Sequence, residues 1–258
     1  MIVGVASAKG APGVTSCALV LAHMWPRPVI VLEADTAGGD LVFRVRTRDG
    51  ELLDDARSVV QLAAASRQPA PPPDLLGEWA QPVSETVSVV KGVTGSAQAR
   101  SLAALWSHIG KTVEASHCDV IVDLGRIRPD SAVLNLAQVC DELLLVTAAT
   151  LEGVTHVAAL AHDLSPIVGV SQPVSLRALV VSPDAHASND RRDIDSFLSQ
   201  KNLIVGETLS LPYDPNGLAL IEAGQVSSKR AARSLLVRAG RRVVETLTAP
   251  TVEKVAVQ

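Results

Sequence analysis

Aromatic side chains are scarce in this chain of 258 residues: three Trp, two Phe and one Tyr, or 2 %. So few ring faces leave little on which to stack bases, which argues against a single-stranded nucleic-acid binder. Cysteines number three, Cys17, Cys118 and Cys140, and no two form a Cys-x-x-Cys pair. Spacing therefore excludes a zinc site built on such pairs. All three sit in apolar surroundings, and their odd number fits buried thiols of a cytosolic protein better than a disulfide framework. There is no Gly-x-Ser-x-Gly and no His-Glu-x-x-His, and His156 and His162 are too poorly phased to share a helix face. A net charge of −4 with 19 % charged residues exerts no global pull toward nucleic acid or membrane. Apolar stretches such as Leu143–Val146 are far too short to span a bilayer. Lys9 and the loop that follows interrupt the apolar start, so no signal peptide is expected and the cytoplasm is the expected location.

What the chain has in abundance is short, continuous apolar runs: 47 % of its residues are hydrophobic. Ile2–Ala6, Val29–Asp35, Thr86–Val90, Asp119–Gly125, Leu143–Thr147, Ser175–Val181 and Leu203–Leu211 read as strands. Helical patterns alternate with them: Cys17–Ala22, Leu52–Ser66, Ala97–Ala115, Glu152–Leu164, Asp190–Ser199, and two near Gly217–Ala223 and Lys229–Thr246. Asp130 is placed to cap a helix after Pro129. Buried strands alternating with helices predict an α/β fold, doubly wound, with a mostly parallel sheet and helices on both faces. The proline run Pro69–Pro73 is a surface connection, too short to separate domains. The expected organisation is one domain over residues 1–248 followed by a flexible tail, 249–258. A ligand is expected at the carboxyl ends of the strands.

The stretch Ala8-Lys9-Gly10-Ala11-Pro12-Gly13-Val14-Thr15-Ser16 joins the first strand to the first helix. A tight Gly-bearing turn leading into a helix N-terminus gathers backbone N–H groups and the positive end of the helix dipole. Hydroxyls at its end can reach a phosphate or its magnesium. The ordinary phosphate loop places Lys directly before Ser/Thr. Here Val14 holds that position, and the loop's lysine stands at the front, as Lys9.

In that displacement the loop resembles the deviant Walker A loop of ParA/MinD-type ATPases, Lys-Gly-Gly-x-Gly-Lys-Thr-Thr. Lys9, Gly10, Gly13, Thr15 and Ser16 match it, while Ala11 replaces a glycine and Val14 the second lysine. Similar loops with a small apolar residue there occur in the branch with pilus-localisation and actinobacterial partition-like proteins. The resemblance implies a P-loop NTPase fold binding ATP and Mg2+. It implies that residues Gly10 to Ser16, with Pro12 in the turn, cradle the phosphates and that Thr15 reaches the metal. Lys9 would extend across an ATP-dependent homodimer to the partner's nucleotide.

Other residues fall into place on the same resemblance. Glu33-Ala34-Asp35 is similar to the family's Asp-x-Asp, so Asp35 would orient the attacking water or the magnesium shell, with Asp40 a second candidate. Asp123 would hold magnesium through water, and the Gly125 N–H would meet the γ-phosphate. Such a set suffices in kind for phosphoryl transfer, which asks mainly for positioning and charge neutralisation. Arg126, with Arg128 next, is the candidate to replace the cation missing at Val14. Ala149–Glu152 resembles the segment after the family's fifth strand, and Pro212, Tyr213 and Asp214 resemble the loop beside the base. The adenine-side Asn is absent, with Ser182-Pro183 in its place. Cys118 and Cys140 invite comparison with iron–sulphur relatives, but Cys140 precedes a strand and is not in a ligand loop.

On the last helical pattern, Ala232, Leu235, Leu236, Ala239 and Val243 form an inward stripe. Arg230, Arg233, Arg238, Arg241 and Arg242 cluster opposite, either as a solvated face or as a sequence-independent DNA contact. The function implied is an ATPase whose nucleotide state switches dimerisation to position cargo, such as DNA or a secretion or pilus complex, together with a cargo or activator protein and without membrane attachment. A non-hydrolysing, nucleotide-bound scaffold is the alternative, with Val14 as its main support.

Overall fold

In the computed structural model the described residues are 1–9, 13–169, 174–183, 187–199 and 207–249. The apolar runs become strands because β-branched and leucine side chains, buried on both faces, leave the backbone only sheet partners with which to pair. In chain order the structure runs through β1 (Ile2–Ser7), α1 (Val14–Met24), β2 (Val29–Glu33), α2 (Leu41–Arg44), α3 (Val59–Ala65), α4 (Leu75–Trp79), β3 (Gln81–Pro82) and β4 (Val87–Val90). It continues through α5 (Ser96–Ser101), α6 (Trp106–Ala115), β5 (Asp119–Arg126), α7 (Leu134–Ala137), β6 (Glu142–Ala148) and α8 (Leu151–Val168). The last elements are β7 (Ser175–Ser182), α9 (Ala187–Ser199), β8 (Leu209–Pro212), α10 (Pro215–Glu222) and α11 (Leu235–Thr248).

Among the described residues the strands form an eight-stranded sheet in the order β3-β4-β2-β5-β1-β6-β7-β8. Every pairing is parallel except the short β3–β4 edge. Alternate side chains feed two cores. Val120, Val122 and Leu124 of β5 join the core under α3 to α9, whereas Ile121 joins the one under α1, α2, α10 and α11. The doubly wound, mostly parallel expectation is met. The chain leaves β1 toward the β4 edge and later passes β1 to build β6 to β8. That reversal puts the topological switch point, where such sheets bind ligands, at the carboxyl end of β1.

Several local expectations are corrected. The pattern at Ala97–Ala115 is not one helix: α5 and α6 are separated by a 3-10 turn at Ala103–Leu105, leaving Leu105 only partly buried. Of Leu52–Ser66 only α3 is helical, started by the Ser58 hydroxyl capping Val60. Asp130 pairs with Arg128 and does not cap α7, which begins after Val133. Cys118 is exposed, whereas Cys17 and Cys140 are buried. The inward stripe of α11 is Leu236, Val237, Gly240, Val243, Val244 and Leu247, while Ala232 and Leu235 are exposed. The phase differs because the helix starts at Leu235, capped by Ser234, after a separate 3-10 turn. Gly240 lies against Val20 and Met24 of α1 so closely that a Cβ would stand 2.7 Å from Val20 Cγ1. Residues 203–206 of the last predicted strand and 250–258 of the predicted tail lie outside the described residues.

Candidate functional site

At the switch point α1 starts on Gly13, which has φ 109°, a left-handed conformation that suits glycine. The Gly13 carbonyl accepts the first helical bond, from Cys17 N at 2.7 Å. No acidic residue occupies the first turn, so the helix N-terminus keeps its positive potential. The predicted phosphate contacts Gly10, Ala11 and Pro12 lie outside the described residues. Val14 is buried in the core with Val3 and Val5 and brings no charge.

Beneath the loop stands Asp123, fully buried near the end of β5. Its Oδ1 accepts the Gly125 N–H at 3.1 Å. Its Oδ2 is buried with no hydrogen-bond partner among the described residues. Burial pushes this carboxyl up to about 7, and the charges of Glu33 and Asp35 add to the rise. The Thr15 hydroxyl and the Gly125 N–H pull it back. A bare carboxylate oxygen in an apolar site, with a hydroxyl facing it and two more acids nearby, favours positive charge beside it. The parallel pairing slips one residue between Val5 and Ala6, which aligns Asp123 with Val5 and Gly125 with Ala6. Gly125 has φ 58°, and a Cβ on it would collide with the Asp35 carboxyl.

Asp35 is half-buried at the end of β2, and its Oδ1 accepts the Ala37 N–H at 2.7 Å. Burial raises its pKa, and the charge of Asp40 adds to this. Asp40 itself is exposed and makes no side-chain cap to α2. Glu33 is different in kind. It is buried, and its two oxygens accept the Leu41 and Gly92 N–H groups at 2.8 Å each. Burial nonetheless raises its pKa against these bonds. Glu33 therefore holds the Asp35–Asp40 segment to the end of β4 and is not free to meet a ligand.

The cations are arranged around the loop. Lys9 is 58 % exposed and 3.6 Å from Glu152 Oε1, which His156 Nε2 also approaches at 3.4 Å. An exposed pair of that length is worth at most about 1 kcal/mol, so it readily gives Lys9 up. Arg126 is exposed, and its Nε donates to the Ala8 carbonyl at 3.1 Å. Sequence reasoning missed Arg44, the last residue of α2. Its guanidinium reaches Ser16 Oγ at 2.8 Å and Glu222 Oε1 at 2.6 Å. The available signal was the first of three closely spaced arginines, Arg44, Arg46 and Arg48, beyond Asp40.

Beside α1 lies an open cavity of about 360 Å³, lined by Gly13, Ser16, Val181, Pro212, Tyr213 and Leu236 among others. Its volume and apolar lining suit a small-molecule site. Pro212 and Tyr213, expected beside the base, are among its lining residues, with Tyr213 70 % exposed. Asp214 also lines it, but its Oδ1 accepts Gly217 N and its Oδ2 accepts the Ser234 hydroxyl, both at 2.8 Å. Its carboxylate is thus committed to starting α10 and bracing the cap of α11. Ser182 closes β7, buried, with a hydroxyl that has no hydrogen-bond partner among the described residues.

The residues present fit a magnesium ion. Among the described residues no cluster of three or more His, Cys, Asp or Glu could cage a metal. Magnesium, however, keeps several waters and takes one or two protein ligands beside phosphate oxygens. Thr15 and the bare oxygen of Asp123 are a set of that kind.

Solved structures with this fold include ATPases of the ParA/MinD kind. A ParA family ATPase from Chlorobium tepidum superposes with a TM-score of 0.73 at 18 % identity, over 94 % of this chain and 98 % of that one. The septum site-determining protein MinD of Pyrococcus horikoshii, complexed with Mg-ADP, gives 0.68 at 15 % identity over 96 % of both chains. The ATP complex of a McdA variant from Cyanothece gives 0.66 at 13 % identity over 95 % of both. No protein-family model and no curated protein matches the chain. The fold is that of the ParA/MinD P-loop ATPases. Among the described residues no helix is long and apolar enough to cross a membrane.

Proposed function

We propose that this chain is an ATP- and magnesium-binding member of the ParA/MinD ATPases with a deviant Walker A loop, whose nucleotide state switches dimerisation to position a cargo. The observation that carries this reading is Asp123, buried beside the Thr15 hydroxyl at the start of α1, with an Oδ2 that has no hydrogen-bond partner among the described residues. Relatives in fold bound to Mg-ADP and to ATP support the choice of ligand. When bound, magnesium would neutralise phosphate oxygens. Thr15 and Asp123 would hold it, Gly13 and Ser16 would line the phosphates, and Gly125 would offer its N–H. Asp35, with Asp40 on the same segment, would hold the attacking water. Pro212 and Tyr213 would flank the base, and Arg126 would steady the front of the loop. Lys9, loosely paired and exposed, would cross to the partner's nucleotide.

Two measurements test this. ATP with magnesium should bind in a titration calorimeter and double the mass seen by light scattering, and Lys9→Ala should bind ATP yet remain monomeric. An unchanged mass at saturating nucleotide would remove the dimer switch, and a flat titration would remove the nucleotide. A second reading, a scaffold that binds ATP without turning it over, is favoured by the uncharged, buried Val14. Absence of phosphate release from a protein that binds and dimerises would select it.

A further inference from the structure

The loop has lost the lysine expected at position 14, and the structure supplies a cation from elsewhere. Arg44 ends α2, the short helix that follows Asp40, and its side chain is 20 % exposed. Its Nη2 donates to Ser16 Oγ at 2.8 Å. Its Nε donates to Glu222 Oε1 at 2.6 Å, which fixes the guanidinium plane from the end of α10. We propose that Arg44 is a positioning residue for the phosphate chain, acting through the Ser16 hydroxyl in place of the missing lysine. This rests on the nucleotide reading above.

The chemistry runs in one direction. A hydroxyl that accepts from a guanidinium has its own proton left to give, and it gives that proton more strongly for being polarised. Among the described residues the Ser16 O–H has no acceptor, and Ser16 lines the cavity next to Gly13. An incoming anion at the first turn of α1 would therefore meet backbone N–H groups, the helix dipole and a charge-assisted O–H together. Arg126 and Lys9 contact other points: Arg126 donates to the Ala8 carbonyl and Lys9 lies beside Glu152, whereas Arg44 reaches Ser16. Arg44 is also near enough to act electrostatically on the buried Cys17, whose thiol burial and Asp123 push up to about 12 while Arg44 opposes the rise. The arrangement ties three elements to one hydroxyl: the segment carrying Asp35 and Asp40, the start of α1, and the end of α10.

The test is calorimetric titration of the full chain with ATP and magnesium, with adenosine as a competitor. Arg44→Gln is expected to weaken ATP about ten- to a hundredfold, the scale of a hydrogen bond to a charged group, and to leave adenosine within about twofold. Ser16→Ala should cost less in the Arg44→Gln background than in the parent, because both changes act on one relay. Val14→Lys should restore most of the lost ATP affinity to Arg44→Gln, which a merely structural arginine would not allow. Arg44→Lys, which keeps the charge without the two-pronged geometry, should fall between and serves if Arg44→Gln does not fold. Equal losses for ATP and adenosine, additive losses at Arg44 and Ser16, or no rescue by Val14→Lys would overturn the proposal. A parent protein that does not bind ATP would overturn the nucleotide reading itself, and this inference with it.

Discussion

A carboxyl that titrates near neutrality couples the site to pH through Asp123. Its folded pKa is about 7 against an ordinary value of 3.8, so the folded protein holds this proton more tightly than the unfolded chain. The sign follows: its contribution to stability is complete below about pH 4 and is lost as pH rises toward 7. In metal-free protein, Asp123→Asn should remove that loss and make the variant more stable than the parent at pH 8, by up to about 4 kcal/mol. At pH 4 the two should be alike. Urea denaturation at both pH values, with chelator, checks this, and magnesium should selectively recover the parent at pH 8. Asp35, Asp123 and Gly125 were legible in the sequence because apolar runs stop at them. Arg44 was not, since its contact with Ser16 crosses 28 positions and depends on how α2 folds back over α1. Nor was the commitment of Asp214 to two helix starts, for which the sequence showed only an acid before a proline.

Helix α11 shows what periodicity reads well and where it slips. Its apolar face was recognisable, but the phase was set by a cap at Ser234 and a preceding 3-10 turn that composition does not announce. The same local breaks divided α5 from α6. Strands fared better, since a run of buried β-branched residues has one register with its neighbours in a parallel sheet. The arginines of this region keep their predicted exposure: Arg230, Arg233, Arg238, Arg241 and Arg242 all face solvent. If they meet DNA phosphates, affinity should be indifferent to sequence and fall steeply with salt. Arg238→Glu, Arg241→Glu and Arg242→Glu together should then abolish DNA retention in a mobility-shift assay while ATP binding persists. DNA binding unchanged by the triple substitution, or absent from the parent with ATP, leaves a solvated helix.

Both cores rest on the same sheet, so neither can come apart without stripping a face of every central strand. We expect one unfolding transition by calorimetry. ATP with magnesium at a hundredfold excess over Kd should stabilise the folded state by about 2.7 kcal/mol and raise the midpoint by roughly 5–10 °C. Two transitions, only one of them moved by nucleotide, would contradict this. The grip of Glu33 on two loops also ties three positions together. Gly39 and Gly92 both press on its carboxylate so closely that neither can carry a side chain without displacing it. Leu41 and Gly92 in turn offer N–H groups that would be left bare if Glu33 were shortened. A side chain gained at Gly39 or Gly92, or lost at Glu33, is therefore expected to cost more alone than when the others change with it.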